Sequence, residues 1–126
     1  MRPATFQAFL LDTFKNAPGV TRVQTLAEAG DTKHPYGVAV VTSDGESRWQ
    51  IIGQLAEGER HEHKEQPVQG APGTWTGPDS GPIGFLGAAL GRAECPEIAQ
   101  LASYKDPSAG LTVTFHNGAR AFVRLI

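Results

Sequence analysis

The strongest constraint on the fold is the pattern of apolar residues on either side of His116-Asn117-Gly118. Leu111–Phe115 and Ala119–Ile126 both alternate between apolar and other side chains, as half-buried strands do. A two-residue turn would mix the faces, whereas a three-residue loop with Gly118 in the left-handed conformation shifts the register by one residue. The resulting bulged hairpin brings seven apolar residues to one face: Leu111, Val113, Phe115, Ala119, Ala121, Val123 and Leu125.

A second hairpin is predicted around Asp44-Gly45, a dipeptide that tolerates the positive φ angles of a type I′ turn. Its strands are expected to be Val38–Thr42 and Glu46–Gly53. A two-residue turn at this dipeptide pairs apolar residues of the two strands on one face. The predicted pairs are Val40 with Trp49 and Val38 with Ile51.

Helical spacing of apolar residues predicts a first helix over Pro3–Ala17, in which one stripe carries three phenylalanines. Pro3 suits the first turn, and Pro18-Gly19 ends the helix. The next segment, Val20–Ala27, alternates only in part and predicts a weak strand.

Helical structure is also predicted after the centre of the chain. Pro82–Ala93 is apolar nearly all round, and its glycines recur at three- and four-residue spacing. This spacing favours a buried helix with a flat surface for close packing against the sheet or a second subunit. Pro96–Tyr104 is predicted as a second helix or as the continuation of this one, with Pro96 at its first position. Ile98, Leu101 and Ala102 are expected to face inward.

These elements predict an α+β fold, with an antiparallel sheet of four to five strands built from two hairpins and helices packed on one face. The predicted order is α-β-β-β-(long loop)-α-β-β, within a single domain over residues 1–126. In this order of elements alone, the chain resembles secretion-chaperone-like domains. That resemblance implies a dimer that binds peptides.

Composition narrows the class of protein. The formal net charge is −2, which argues against a protein that mainly coats nucleic acid. The single cysteine excludes an intramolecular disulfide and a zinc site built from several cysteines. The chain shows no signal-peptide pattern, and its longest apolar stretch, Ile83–Leu90, is too short to span a bilayer. We therefore predict a cytoplasmic protein that does not enter membranes.

A long segment rich in glycine and proline, about residues 55–81, is predicted to be a loop. It contains Trp75, a side chain that is costly to leave in water. The indole is interpreted either as an aromatic platform for a partner or as a plug that folds back on the edge of the sheet or a helix.

The same loop carries the most conspicuous set of metal-ligand types in the chain. His61 and His63 would point the same way in an extended segment, and Glu65 follows at the same spacing. The two histidines with Glu65, or with the distant His34 or His116, are a candidate site for zinc or nickel. The alternative is an ordinary solvated loop, because charges alternate along this segment and no apolar residues support the rings.

The outer face of the last hairpin is a candidate nucleic-acid surface. It presents Arg120, Phe122 and Arg124, with His116 in the loop. An aromatic ring between arginines can hold single-stranded nucleic acid by stacking and phosphate contacts. The alternatives are an ordinary solvent-exposed face and a surface covered by another subunit. The last strand is also predicted to be an open edge that a second copy would protect.

No motif for nucleophilic or acid–base catalysis is present, which favours a protein that is not an enzyme. We predict a non-catalytic interaction module without a cofactor, forming a homodimer. It is expected to bind a protein or peptide through its sheet edge or its loop, with Trp75 and Phe122 as contact residues. Nucleic-acid binding and metal binding are the second and third hypotheses.

Overall fold

Six strands form one antiparallel sheet, and both helices pack on the same face of it. The computed structural model describes residues 1–126. The elements in chain order are α1 (Pro3–Lys15), β1 (Val20–Thr25), β2 (Gly37–Thr42), β3 (Gly45–Gln54), α2 (Gly81–Arg92), β4 (Ile98–Ser103), β5 (Gly110–Phe115) and β6 (Arg120–Leu125). The predicted α+β class is confirmed, and the sheet has more strands than the four to five expected from the sequence.

The hairpin of β5 and β6 has the predicted bulged register. Leu111 pairs with Val123, and Val113 pairs with Ala121. Gly118 has a φ of 91°, the left-handed value that the three-residue loop requires. The apolar residues on this face are buried except for Leu125, which packs partly exposed against the core.

The hairpin of β2 and β3 is present, but its predicted register is wrong by two residues. Val38 pairs with Trp49, and Val40 pairs with Ser47. The two residues between the strands are Ser43 and Asp44, and the positive φ falls on the glycine after them, which begins β3. Because strand side chains repeat every two residues, this shift keeps each side chain on its predicted face. Accordingly Val38 and Trp49 are both buried.

The helix predicted over Pro96–Tyr104 is wrong, because this segment contains β4. Ile98 and Leu101 both face the core, as expected, and lie three residues apart. Ala102, also expected to face inward, lies on the opposite face of the sheet. The pairing with β5 shifts between Ile98 and Gln100, which marks a bulge. An extra residue at a bulge changes the two-residue spacing of a strand to three, and this mimics the spacing of a helix.

The prediction that the last strand is an open edge is also wrong. The strand order is β1-β2-β3-β6-β5-β4, so β6 lies in the middle of the sheet. Val123 pairs with Ile51 of β3 on one side and with Leu111 of β5 on the other. The free edges are therefore β1 and β4.

The hydrophobic core lies between the sheet and the helices. α1 contributes Phe6, Leu10 and Phe14, which lie one turn apart and are fully buried. The Phe6 ring meets Phe115 edge-on, with ring centroids 5.7 Å apart. No polar or charged residue is buried. Neither helix combines the length and the apolar character needed to cross a membrane.

Candidate functional site

The side of the sheet opposite the helices is not covered by either helix, and we call it the open face. On β6, Ala121 and Val123 point into the core. Arg120, Phe122 and Arg124 alternate with them and therefore lie on the open face. The structure thus places three residues of the predicted nucleic-acid surface in the middle of the sheet rather than at its edge.

An apolar row crosses the centre of the open face. Phe122 pairs with Ile52 on β3 and with Thr112 on β5, and Thr112 pairs with Ala102 on β4. Ile52 is 38% exposed, and Ile126, which continues the same face beyond β6, is 47% exposed. These are two of the three large hydrophobic side chains that are exposed in the whole chain, so apolar exposure is concentrated on this face.

The charge on the open face differs in sign from that of the whole chain. Its strand positions carry four arginines and one carboxylate, a formal charge of +3, whereas the chain carries −2. The arginines are Arg22, Arg48, Arg120 and Arg124, and the carboxylate is Glu46. Glu46 is already bound to Arg48. Arg120 and Arg124 are exposed and form no ion pair.

Tyr104 is a residue of this face that the sequence analysis missed. Its N–H donates to the Gly110 carbonyl at 2.9 Å, so it continues the β4–β5 ladder, and Gly110 pairs with Arg124. A Cβ placed on Gly110 would lie 3.1 Å from the Tyr104 ring, so the ring occupies the space that this glycine leaves open. Burial raises the pKa of the Tyr104 hydroxyl, and the neighbouring Arg124 guanidinium opposes that rise.

Two aromatic residues therefore lie beside Arg124: Phe122 on the same strand and Tyr104 across β5. The signal for Tyr104 was present in the sequence, because Gln100, Ala102 and Tyr104 alternate in step with the threonines of β5. Assigning this segment as a helix concealed the alternation.

His116, the fourth residue of the predicted nucleic-acid surface, is held by the long loop. Its Nε2 donates to the Ala71 carbonyl at 2.9 Å. The ring lies directly against Gly70, where an added Cβ would come within 2.6 Å of His116 Cε1. This side chain therefore anchors the loop to the end of the hairpin.

Trp75 packs on α2 and is partly buried. Its indole lies against Gly87, where any side chain would overlap the ring, and its Cβ and backbone N lie near Gly91. The indole Nε1 donates to the Pro78 carbonyl at 2.9 Å. The regularly spaced glycines and the loop tryptophan, interpreted separately in the sequence, thus form one packing feature.

The segment of His61 and His63 is fixed to the start of α1 by its carboxylates. Glu65 Oε1 accepts a hydrogen bond from the Arg2 backbone N–H at 2.7 Å, and Glu59 accepts one from the Arg2 guanidinium at 3.0 Å. Both histidines are exposed. No three His, Cys, Asp or Glu side chains are grouped so that they could hold a metal ion.

Comparison with known proteins gives no further guidance: no family model, no curated protein and no solved structure matches this chain. The resemblance in element order to secretion-chaperone-like domains therefore finds no counterpart among the solved structures.

Proposed function

We propose that this chain is a non-catalytic interaction module that binds an acidic protein partner through the open face. The observation that carries the proposal is the composition of that face. Phe122 and the exposed Ile52 lie at its centre. Tyr104 and the exposed Ile126 lie nearer its margins, and its strands carry arginines but no lysine. Protein interfaces are enriched in aromatic residues and arginine and depleted in lysine and carboxylates.

Charge determines the kind of partner. The exposed guanidinium groups of Arg120 and Arg124 have no carboxylate partner in the chain. A partner with acidic side chains around an apolar centre would pair with them and cover Phe122 and Ile52 together. Two open faces packed against each other would instead bring like charges together, so this face favours a different protein over a second copy.

The ionisable groups support a module that does not catalyse a reaction. The largest carboxyl shift is that of Asp31, whose pKa falls to about 2 because the His34 side chain and the backbone N–H groups of His34 and Lys33 bind it. These are bonds within one turn, 31–34, and they account for the shift structurally. Shifted carboxyls elsewhere are likewise bound by neighbouring residues, as in Asp106 by Ser108.

The test is quantitative capture of partners from a cell extract, treated with nuclease, by the wild-type protein and by two charge-reversed variants. Arg124→Glu changes the open face, and Arg92→Glu makes the same charge change at the exposed end of α2. We expect proteins captured by the wild type and by Arg92→Glu to be lost with Arg124→Glu. Equal capture by all three proteins would contradict the proposal.

A second function, binding of single-stranded nucleic acid, is favoured by one specific observation: Arg124 has Phe122 two residues away on its own strand and Tyr104 across β5. Exposed rings beside guanidinium groups can stack on bases while the charges contact phosphates. Fluorescence anisotropy with a labelled single-stranded oligonucleotide at about 50 mM salt tests it. Low salt is used because binding through a small number of phosphate contacts weakens as the salt concentration rises. Binding that is lost in Tyr104→Ser and in Arg124→Glu, but kept in Arg92→Glu, would favour nucleic acid over protein.

A further inference from the structure

The two edges of the sheet differ in how far the chain protects them. At β1, the outward N–H of Thr25 donates to Glu28 Oε1 at 3.0 Å, and the Thr25 carbonyl accepts from the Ala29 N–H at 3.1 Å. The register with β2 also shifts between Val20 and Arg22. Capping, irregular pairing and charge are the usual means of keeping an edge from pairing with another strand.

At β4, the long loop covers only the beginning of the edge. The N–H groups of Gly70 and Gly73 donate to the carbonyls of Pro96 and Ile98, both at 2.8 Å. No backbone hydrogen bond from the loop reaches β4 beyond Ile98. Gly73 also lies against the backbone of Ala99 and Gln100, so the uncovered part of this edge is residues 101–103.

Leu101 and Ser103 direct their backbone groups to the uncovered edge. Because the Tyr104 N–H bonds to Gly110, Tyr104 and every second residue before it face β5. The N–H and C=O groups of Leu101 and Ser103 must then point away from β5. No turn, loop or side-chain hydrogen bond of the chain uses them.

The uncovered stretch has none of the protections found at β1. Residues 101–103 contain no charged side chain and no proline, and the bulge of β4 lies before them. An uncharged strand with free outward backbone groups is suited to pair with another strand.

We propose that two copies of this chain pair through β4, antiparallel about Ala102, so that their sheets become continuous. In this register Leu101 exchanges both of its backbone hydrogen bonds with Ser103 of the partner subunit. Ala102 faces its own counterpart on the symmetry axis.

A second copy fits this edge because antiparallel pairing about one residue is self-complementary. The side chains that meet are small or uncharged, so the pairing involves no like-charge repulsion of the kind that disfavours stacking of two open faces. The pairing would instead place the two open faces side by side, with Tyr104 of each copy near the middle. It does not depend on what the open face binds.

The surface buried between the two strands is small. A strand pair of this length buries less than the roughly 1,200 Å² that marks the lower end of stable interfaces. We therefore expect a dimer that forms and dissociates with concentration.

Sedimentation velocity over about 10 μM to 1 mM tests the proposal, because this range covers weak association. The sedimentation coefficient of the wild type should rise with concentration. Ala102→Arg places two like charges on the axis and should weaken association at least tenfold. Gln24→Arg is the matched control, because it adds the same charge to the open face at the opposite edge, and it should change little.

A second variant separates loss of pairing from loss of folding. Ser103→Pro removes one outward N–H and leaves the bonds between β4 and β5 in place. It should also weaken association while the far-ultraviolet circular dichroism stays that of the wild type. A wild type that remains monomeric at all concentrations would overturn the proposal, as would equal association by wild type, Ala102→Arg and Ser103→Pro.

Discussion

The two faces of the sheet are built from the same six strands but are used differently. The face covered by the helices carries Val38, Leu111 and Val123, all fully buried. The open face carries threonine, glutamine and arginine around a small apolar centre. Because adjacent residues of a strand point to opposite faces, stability and recognition are assigned to alternate positions on β5 and β6, whereas on β2 both Val38 and its neighbour Ala39 are buried. Substitutions at two adjacent residues of β5 or β6 should therefore differ in their effect on stability.

The largest expected effect comes from the covered face. Leu111 is completely buried, so Leu111→Ala should lower the free energy of unfolding by about 2–5 kcal/mol. Thr112→Ala, one residue further on the open face, should change it by less than about 0.5 kcal/mol. Urea denaturation of both variants measures the difference, and similar losses at the two positions would contradict the separation.

The next largest effect on stability is expected at the glycines of α2, on which Trp75 of the long loop packs. The methyl group added by Gly87→Ala would overlap the Trp75 ring, so the indole must move. This should lower the free energy of unfolding by about 1–3 kcal/mol. At Gly91 an added Cβ would meet Trp75 at 3.4 Å, an ordinary contact. Gly91→Ala should therefore gain up to about 1 kcal/mol from helix propensity. Thermal unfolding and Trp75 fluorescence distinguish these outcomes, and a red shift is expected only for Gly87→Ala.

A smaller effect on stability is expected on the open face, even from a reversal of charge. Arg124 is exposed and forms no ion pair, so Arg124→Glu should change the free energy of unfolding by about 0.5 kcal/mol or less. The same variant is expected to abolish partner binding. A loss of stability as large as that of Leu111→Ala would show that the open face is part of the folding core.

The smallest expected effect is the change in stability at acid pH. The covered face contains no buried charged residue, so pH should act on exposed turns such as 31–34. The pKa of Asp31 is lowered from 3.8 to about 2, so its contribution is present above its unfolded pKa and is lost as pH falls from about 4 to 2. Acid titration of Asp31→Asn beside the wild type should show a slightly weaker pH dependence in that window, and an identical profile would exclude a role for this turn.

The sequence predicted the fold where local pattern and turn chemistry were sufficient. In the last hairpin, a shift by one residue would expose every apolar side chain, so the pattern selected the correct register. In the first hairpin, a shift by two residues leaves the faces unchanged, and the pattern could not detect the error. At β4, one bulge made a strand look helical and hid Tyr104 from the candidate site.

Long-range features were beyond the reach of these patterns. The position of β6 between β3 and β5 depends on pairing with β3 between residues 66 to 76 positions apart. The packing of Trp75 on Gly87 joins two motifs that each had a plausible separate explanation. Both follow from how distant surfaces fit together, which periodicity within one segment does not encode.

The central position of β6 has a consequence for folding during synthesis. β6 is the last of the six strands to leave the ribosome, and it alone bridges the β1–β3 and β4–β5 groups. Until residues 120–125 emerge, the β1–β3 and β4–β5 groups of the nascent chain are not joined. Each group then exposes an apolar face and an unpaired edge strand. Productive assembly is therefore delayed to one late, non-local step, and chains stalled before Arg120 should be clients for chaperones or seeds for aggregates.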